Sequence, residues 1–138
     1  AYEIMPSLVG SEMCIRDRSK IESDIWRKTG GVHCSVLFSR KKLIAKSNDI
    51  GRHNSIDKVV GFGILNDIDL STCIIGCTGR QPSEMISKIV NAGIPIVISK
   101  GASTDKGIRT ADEAGVTLIC FAREGRFTVY THPYRIRM

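Results

Sequence analysis

Thr72-Cys73-Ile74-Ile75-Gly76, Ile94-Pro95-Ile96-Val97-Ile98-Ser99 and Val116-Thr117-Leu118-Ile119-Cys120-Phe121-Ala122 are three short, nearly unbroken apolar runs. Runs of this length without polar alternation read as strands covered on both faces. Between the first two, Pro82 suits the first turn of a helix, and Met85, Ile86, Ile89 and Val90 make one apolar stripe that Gly93 ends. Between the second and third, Thr104 to Ala114 reads as a helix capped by Gly115. The order β-α-β-α-β implies parallel strands joined by helical crossovers.

Working outward, Ile56, Val59, Val60 and Ile64 recur at helical spacing and predict a helix from Asn54 to Leu65. Val32, Cys34, Val36 and Phe38 alternate with His33, Ser35, Leu37 and Ser39, the pattern of a half-buried strand, and Leu43 to Lys46 runs back beside it. This hairpin should lie toward an edge of the sheet, and Phe127 to Tyr130 should add a last strand. The expected architecture is α/β, in three layers, with a mixed sheet and an edge hairpin.

The first 18 residues show neither period, and Ser7 to Arg18 resembles translated sequencing-adaptor sequence. The expected organisation is therefore a tail over 1–25, foreign to the domain or lacking order, and one domain over 26–138. The chain has 138 residues, 42% of them hydrophobic, which suits a single core and argues against general disorder. Apolar runs are too short to span a bilayer, and the N-terminus lacks a basic start with an apolar core, so the expected address is cytoplasmic. Five cysteines, Cys14, Cys34, Cys73, Cys77 and Cys120, are an odd number, and three lie in apolar strands, which favours buried reduced thiols over disulfides.

In an open α/β sheet, ligands collect beyond the carboxyl ends of the parallel strands. The loops Gly76-Cys77-Thr78-Gly79-Arg80, Lys100-Gly101-Ala102-Ser103 and Arg123-Glu124-Gly125-Arg126 each combine glycine with a cation, and Asp49-Ile50-Gly51-Arg52-His53-Asn54 leads into a helix. Such an edge suits an anion, a nucleotide pyrophosphate being one. Nucleic acid is disfavoured, because aromatics are 6% of the chain and the basic residues do not form one run. His53 with Asp57, or Cys73 with Cys77, are only pairs, so no metal site is expected. The His-x-Glu and Pro-Cys-x-x-Cys strings of zinc deaminases are missing, as are the phosphate-loop and nucleophile-elbow motifs.

Thr29-Gly30-Gly31-Val32-His33, Asp49-Ile50-Gly51-Arg52-His53-Asn54-Ser55-Ile56-Asp57-Lys58, Gly79-Arg80 and Gly125-Arg126-Phe127-Thr128-Val129-Tyr130-Thr131-His132-Pro133 follow one another in an order that resembles the formate dehydrogenase accessory sulfurtransferase (FdhD-like) family. The likeness runs from Trp26 to Ile136. It implies a cytidine-deaminase-like fold and a role in passing sulfur from a cysteine desulfurase to the molybdenum bis-guanine-dinucleotide cofactor of formate dehydrogenase. It also implies a homodimer, and GDP as an analogue of the cofactor. By this likeness the contacts fall on Phe121, Ala122, Arg123, Glu124, Gly125 and Arg126, helped by Arg52, His53, Gly79, Arg80, Lys100 and Ser103.

The family's sulfur carrier is a cysteine in a Cys-x-x-Cys loop upstream of the Thr-Gly-Gly segment, and residues 1–28 contain no such pair. The chain is therefore expected to correspond to the family's C-terminal portion, binding cofactor without transferring sulfur. Cys77, beside the glycine-cation edge, is the one candidate for a substitute carrier. The alternative reading is a non-catalytic guanine-nucleotide-binding module or partner scaffold. Two places depart from the family pattern: Ile98 to Ser103, and Tyr134 where a glutamate is usual.

Overall fold

The computed structural model describes Glu3–Ile4, residues 21–39, 42–123 and 126–137. The three apolar runs form β4 (Cys73–Cys77), β5 (Ile96–Ser99) and β6 (Thr117–Arg123), parallel to one another. Before them come β1 (Glu3–Ile4), α1 (Asp24–Thr29), β2 (His33–Ser39), β3 (Lys42–Asp49) and α2 (Arg52–Leu65). Between and after them lie α3 (Ser83–Asn91), α4 (Asp105–Glu113), β7 (Arg126–Val129) and β8 (Ile136–Arg137). The main sheet has six strands in the order β3-β2-β4-β5-β6-β7, and β1 pairs separately with β8.

Strand β2 is antiparallel to both β3 and β4, so β3 points the same way as β4, β5 and β6. Three successive crossovers, through α2, α3 and α4, thus advance across the sheet in one direction. Right-handed crossovers that keep one direction put their helices on one face. The packing agrees: Ile56, Val59, Met85, Ile86, Ile89 and Ala111 meet Leu37, Ile75, Val97, Leu118 and Cys120 in one core. On the opposite face, Ile21, Val36, Phe38, Ile74, Ile96, Ile98 and Ile119 form a second core, joined by Phe127, Val129 and Ile136. The residues of this second core from outside the main sheet are Ile21, just before α1, and Ile136 of β8.

Three expectations change. The strand over His33–Ser39 is buried on both faces because it lies inside the sheet, between β3 and β4, with α2 on one side and Ile21 on the other. The hairpin does lie at one side of the sheet, with β3 as its outermost strand, and β7 forms the opposite edge. In α2, Ile64 is 60% exposed, and Gly63 takes its place in the stripe. A Cβ on Gly63 would lie 2.8 Å from Leu70 Cδ2 and 3.2 Å from Leu37 Cδ2, so a larger residue there would have to push these side-chain ends aside. The tail expected over 1–25 shortens, since Ile21 is fully buried and Ser23 caps α1 by accepting the Trp26 N–H at 3.1 Å. The remainder of residues 1–20 lies outside the described residues, apart from Glu3–Ile4, which pair with Ile136–Arg137.

Both helix-ending glycines behave as expected, Gly93 with φ +77° and Gly115 with φ +74°. No helix among the described residues is long and apolar enough to cross a membrane.

Candidate functional site

The carboxyl ends of β3, β4, β5 and β6 share one edge with the amino end of β2. Two of the loops leaving this edge are tied together through buried polar groups. Ser99 Oγ donates to the Gly79 carbonyl at 2.6 Å and accepts the Gly101 N–H at 3.0 Å. Gln81, fully buried, donates its backbone N–H to the Ala102 carbonyl at 2.8 Å and its side-chain amide to the Gly79 carbonyl at 2.9 Å. Ser103 Oγ donates to the Gln81 carbonyl at 2.7 Å. The glycines are demanded by closeness: a Cβ on Gly101 would lie 3.0 Å from the Arg80 nitrogen and 3.1 Å from the Gly79 carbonyl oxygen.

Above this braced floor, side chains from three elements converge. A Cβ on Gly79 would lie 2.9 Å from Arg52 Cβ and 3.4 Å from both Arg52 Cδ and His33 Nδ1. Thr78 Oγ1 accepts the Cys34 N–H at 3.0 Å and stands 3.5 Å from His33 Nδ1. Burial, then the Arg52 and Arg80 guanidinium groups, push the His33 imidazole below its ordinary 6.5. Arg52 Nε is buried without a hydrogen-bond partner, and neither Arg52 nor Arg80 pairs with a carboxylate among the described residues. His53 follows Arg52 in the first turn of α2, half-buried.

The sixth strand ends irregularly. Its pairing with β7 shifts register between Cys120 and Arg123, and Phe121 takes the left-handed backbone at φ +54°. A non-glycine residue there is strained, and such strain gathers at functional edges. The Phe121 ring is 42% exposed, and its N–H donates to the Gly101 carbonyl at 3.1 Å, so the aromatic face is anchored to the glycine floor. Arg123 Nε donates to the Lys100 carbonyl at 3.3 Å.

The expected residues thus separate. Arg52, His53, Gly79, Arg80, Phe121 and Arg123 lie along the edge. Ser103 is there too, its hydroxyl already used on Gln81. Lys100 also lies there, but its ammonium is held by Glu22 and lies over the Trp26 ring. Ala122 points into the second core and is fully buried, leaving only its backbone for a ligand. Arg126 opens β7 and is exposed, while Glu124 and Gly125 lie outside the described residues.

Cys77 does not stand on the edge as expected. It is the last residue of β4, 1% exposed, its sulfur accepting from Gln81 Nε2 at 3.0 Å. Burial drives its thiol up to about 12, the opposite of an activated carrier. Sequence reasoning did not assign His33, Ser99, Gln81, Glu22 or Trp26. For His33 the signal was the Thr-Gly-Gly-Val-His string; the others depend on contacts far apart in the chain. His132, by contrast, is a fixing residue: its Nε2 lies 2.8 Å from the Asp112 carbonyl, tying the segment after β7 to the end of α4.

A model of the FdhD/NarQ family matches residues 11–137. The chain belongs to this family. Among curated relatives, the sulfur carrier protein FdhD of Thermoplasma volcanium is 46% identical over 113 residues, covering 81% of this chain and 40% of that protein. The protein of the same name in Bacillus subtilis is 44% identical over 115 residues, covering 83% and 44%. A crystal structure described as a formate dehydrogenase accessory protein from Desulfotalea psychrophila superposes with a TM-score of 0.79 at 31% identity, covering 88% of this chain and 57% of that one. This FdhD/NarQ-family chain therefore spans 40–50% of the length of such curated relatives.

Proposed function

We propose that this chain is the part of a formate dehydrogenase sulfur carrier that holds the molybdenum bis-guanine-dinucleotide cofactor while sulfur is delivered to it. The cofactor is cargo, a cysteine desulfurase is the source of the sulfur, formate dehydrogenase receives the finished cofactor, and the working form is a homodimer. The observation that carries this reading is the braced glycine floor of Gly79 and Gly101, with Arg80 directly after Gly79 and the exposed Phe121 bonded through its N–H to the Gly101 carbonyl. A close-approach backbone with a cation suits a phosphate, and a fixed exposed ring suits a purine. The names carried by the family's curated members supply the reaction class.

The four described cysteines, Cys34, Cys73, Cys77 and Cys120, are all buried. This favours a holding role for the described residues, with the reactive thiol supplied from outside them, and it also favours the alternative of a guanine-nucleotide module without chemistry of its own. Calorimetry with GDP tests the common part. Arg80→Ala should weaken binding roughly tenfold to a hundredfold, the value of a charge-assisted phosphate contact, whereas Lys42→Ala should leave it unchanged. Absence of GDP binding, or equal losses for both variants, overturns the reading.

A further inference from the structure

Three groups able to carry positive charge meet at Gly79 without a carboxylate partner among the described residues. His33 comes from the start of β2, Arg52 from the start of α2 and Arg80 from the loop after β4. The Arg52 stem and His33 Nδ1 lie over the same face of Gly79, and Arg52 Nε is buried with no acceptor. A buried guanidinium nitrogen left without an acceptor is unfavourable in the folded chain, and a bound anion removes that penalty. The nearest carboxylate on a neighbouring strand is Asp49, opposite His33 on β3. It is engaged elsewhere, on Lys58 Nζ at 2.8 Å, the Gly51 N–H at 2.9 Å and Asn54 Nδ2 at 3.2 Å.

We propose that His33, Arg52 and Arg80 form a subsite for a doubly charged oxyanion, the pyrophosphate of the nucleotide, and that filling it is coupled to proton uptake by His33. The inference rests on the nucleotide reading for the identity of the ligand, but not for the chemistry of the subsite. Guanidinium forks suit tetrahedral oxyanions, and the glycine lets the anion approach the backbone N–H groups of the loop. The groups facing His33 are Arg52, with His53 beside it, from α2; Arg80 and Thr78 from the β4–α3 connection; and Asp49 from β3. With the site empty, both arginines oppose an imidazolium. A dianion between them offsets the two guanidinium charges that oppose the imidazolium, so the bound state takes up a proton that the free state lacks. Anion affinity therefore rises as pH falls toward the His33 midpoint.

Sulfate is a suitable probe because it stays doubly charged near neutrality and brings no titration of its own. The His33 ring resonances, assigned by their loss in His33→Gln, are followed by NMR from about pH 5 to about pH 8 with and without sulfate. The His33 midpoint should rise with sulfate, and sulfate should bind more tightly at the acid end in the wild type but not in His33→Gln. Arg80→Ala, an exposed residue whose loss should not disturb folding, should weaken sulfate roughly tenfold. An unmoved His33 midpoint, or equal sulfate binding by Arg80→Ala, overturns the subsite. GDP provides the second arm. If sulfate moves His33 and GDP does not displace it, the subsite stands and the nucleotide reading falls; if GDP binds while sulfate leaves His33 unmoved, the nucleotide reading stands and the subsite falls.

Discussion

Lys100 Nζ is paired with the Glu22 carboxylate and lies 4.8 Å from the centre of the Trp26 ring, so the rim cation after β5 is neutralised by the segment leading into α1. Both side chains of the pair are mostly covered, 13% and 18% exposed, which keeps solvent from screening the attraction. The contact joins residues far apart in the chain and fastens α1 to the ligand edge.

Lys100→Ala should destabilise the fold by about 1 kcal/mol, because it takes one of two cations from a shielded carboxylate, which keeps Arg27 Nε at 3.1 Å, and removes a cation–π contact. GDP affinity should fall less than with Arg80→Ala, since the lost charge was already balanced. Urea unfolding and calorimetry on the two variants read the two effects separately; a larger GDP loss at Lys100 would place that ammonium on the ligand.

The glycines divide sharply. A Cβ at Gly101 meets the backbone of Gly79 and Arg80, atoms that cannot swing aside, so Gly101→Ala should destabilise by about 1–3 kcal/mol. In α2, nothing lies within 4 Å of a Cβ on Gly61, and Gly61→Ala should instead stabilise by about 0.5–1 kcal/mol. Thermal melts of the pair give opposite signs if the loop packing described above is correct.

Asp49 gives the acid limb of stability a specific origin. Hydrogen bonds from Lys58, Gly51 and Asn54 lower its carboxyl from 3.8 to about 2. A lowered folded-state value means that the ionised form supports the fold. Its contribution is complete above the unfolded value and is lost as pH falls through the folded one. Stability should therefore drop between about pH 4 and about pH 2. Asp49→Asn should be flatter than the wild type over that window in acid titrations followed by circular dichroism.

Much of the fold was legible because burial on both faces writes itself as unbroken apolar runs: Ile74-Ile75, Ile96-Val97-Ile98 and Leu118-Ile119 are all inside. Polar alternation misled at Ser35, whose hydroxyl is buried yet satisfied at 2.8 Å by Ser55 of α2, a partner that the local pattern cannot reveal. The edge loops were legible from glycine beside a cation. Ala122 and Cys77 were not, since their orientation is set by the irregularity at Phe121 and by one further residue of pairing at the end of β4. The partners of Lys100 and His33 depend on α1 and α2 docking at that edge, which no local spacing records.

The thiols supply the last prediction. A persulfide carrier needs a thiolate that is exposed and easily ionised. Cys77 and Cys120 are instead driven up to about 12 by burial, and Cys73 is raised for the same first reason. Cys34 is fully buried, with its sulfur 3.0 Å from Ser23 Oγ and 2.9 Å from Asn48 Oδ1. Native protein treated briefly with iodoacetamide near pH 8 should thus leave all four unmodified, and the same protein unfolded in urea should be alkylated at each. After incubation with a cysteine desulfurase and cysteine, peptide mass spectrometry should find no added sulfur on these four residues, while any persulfide that does form should map outside the described residues. Sulfur on Cys77 would require β4 to release its last residue from Gln81. It would turn the edge proposed to hold the cofactor into the transfer site.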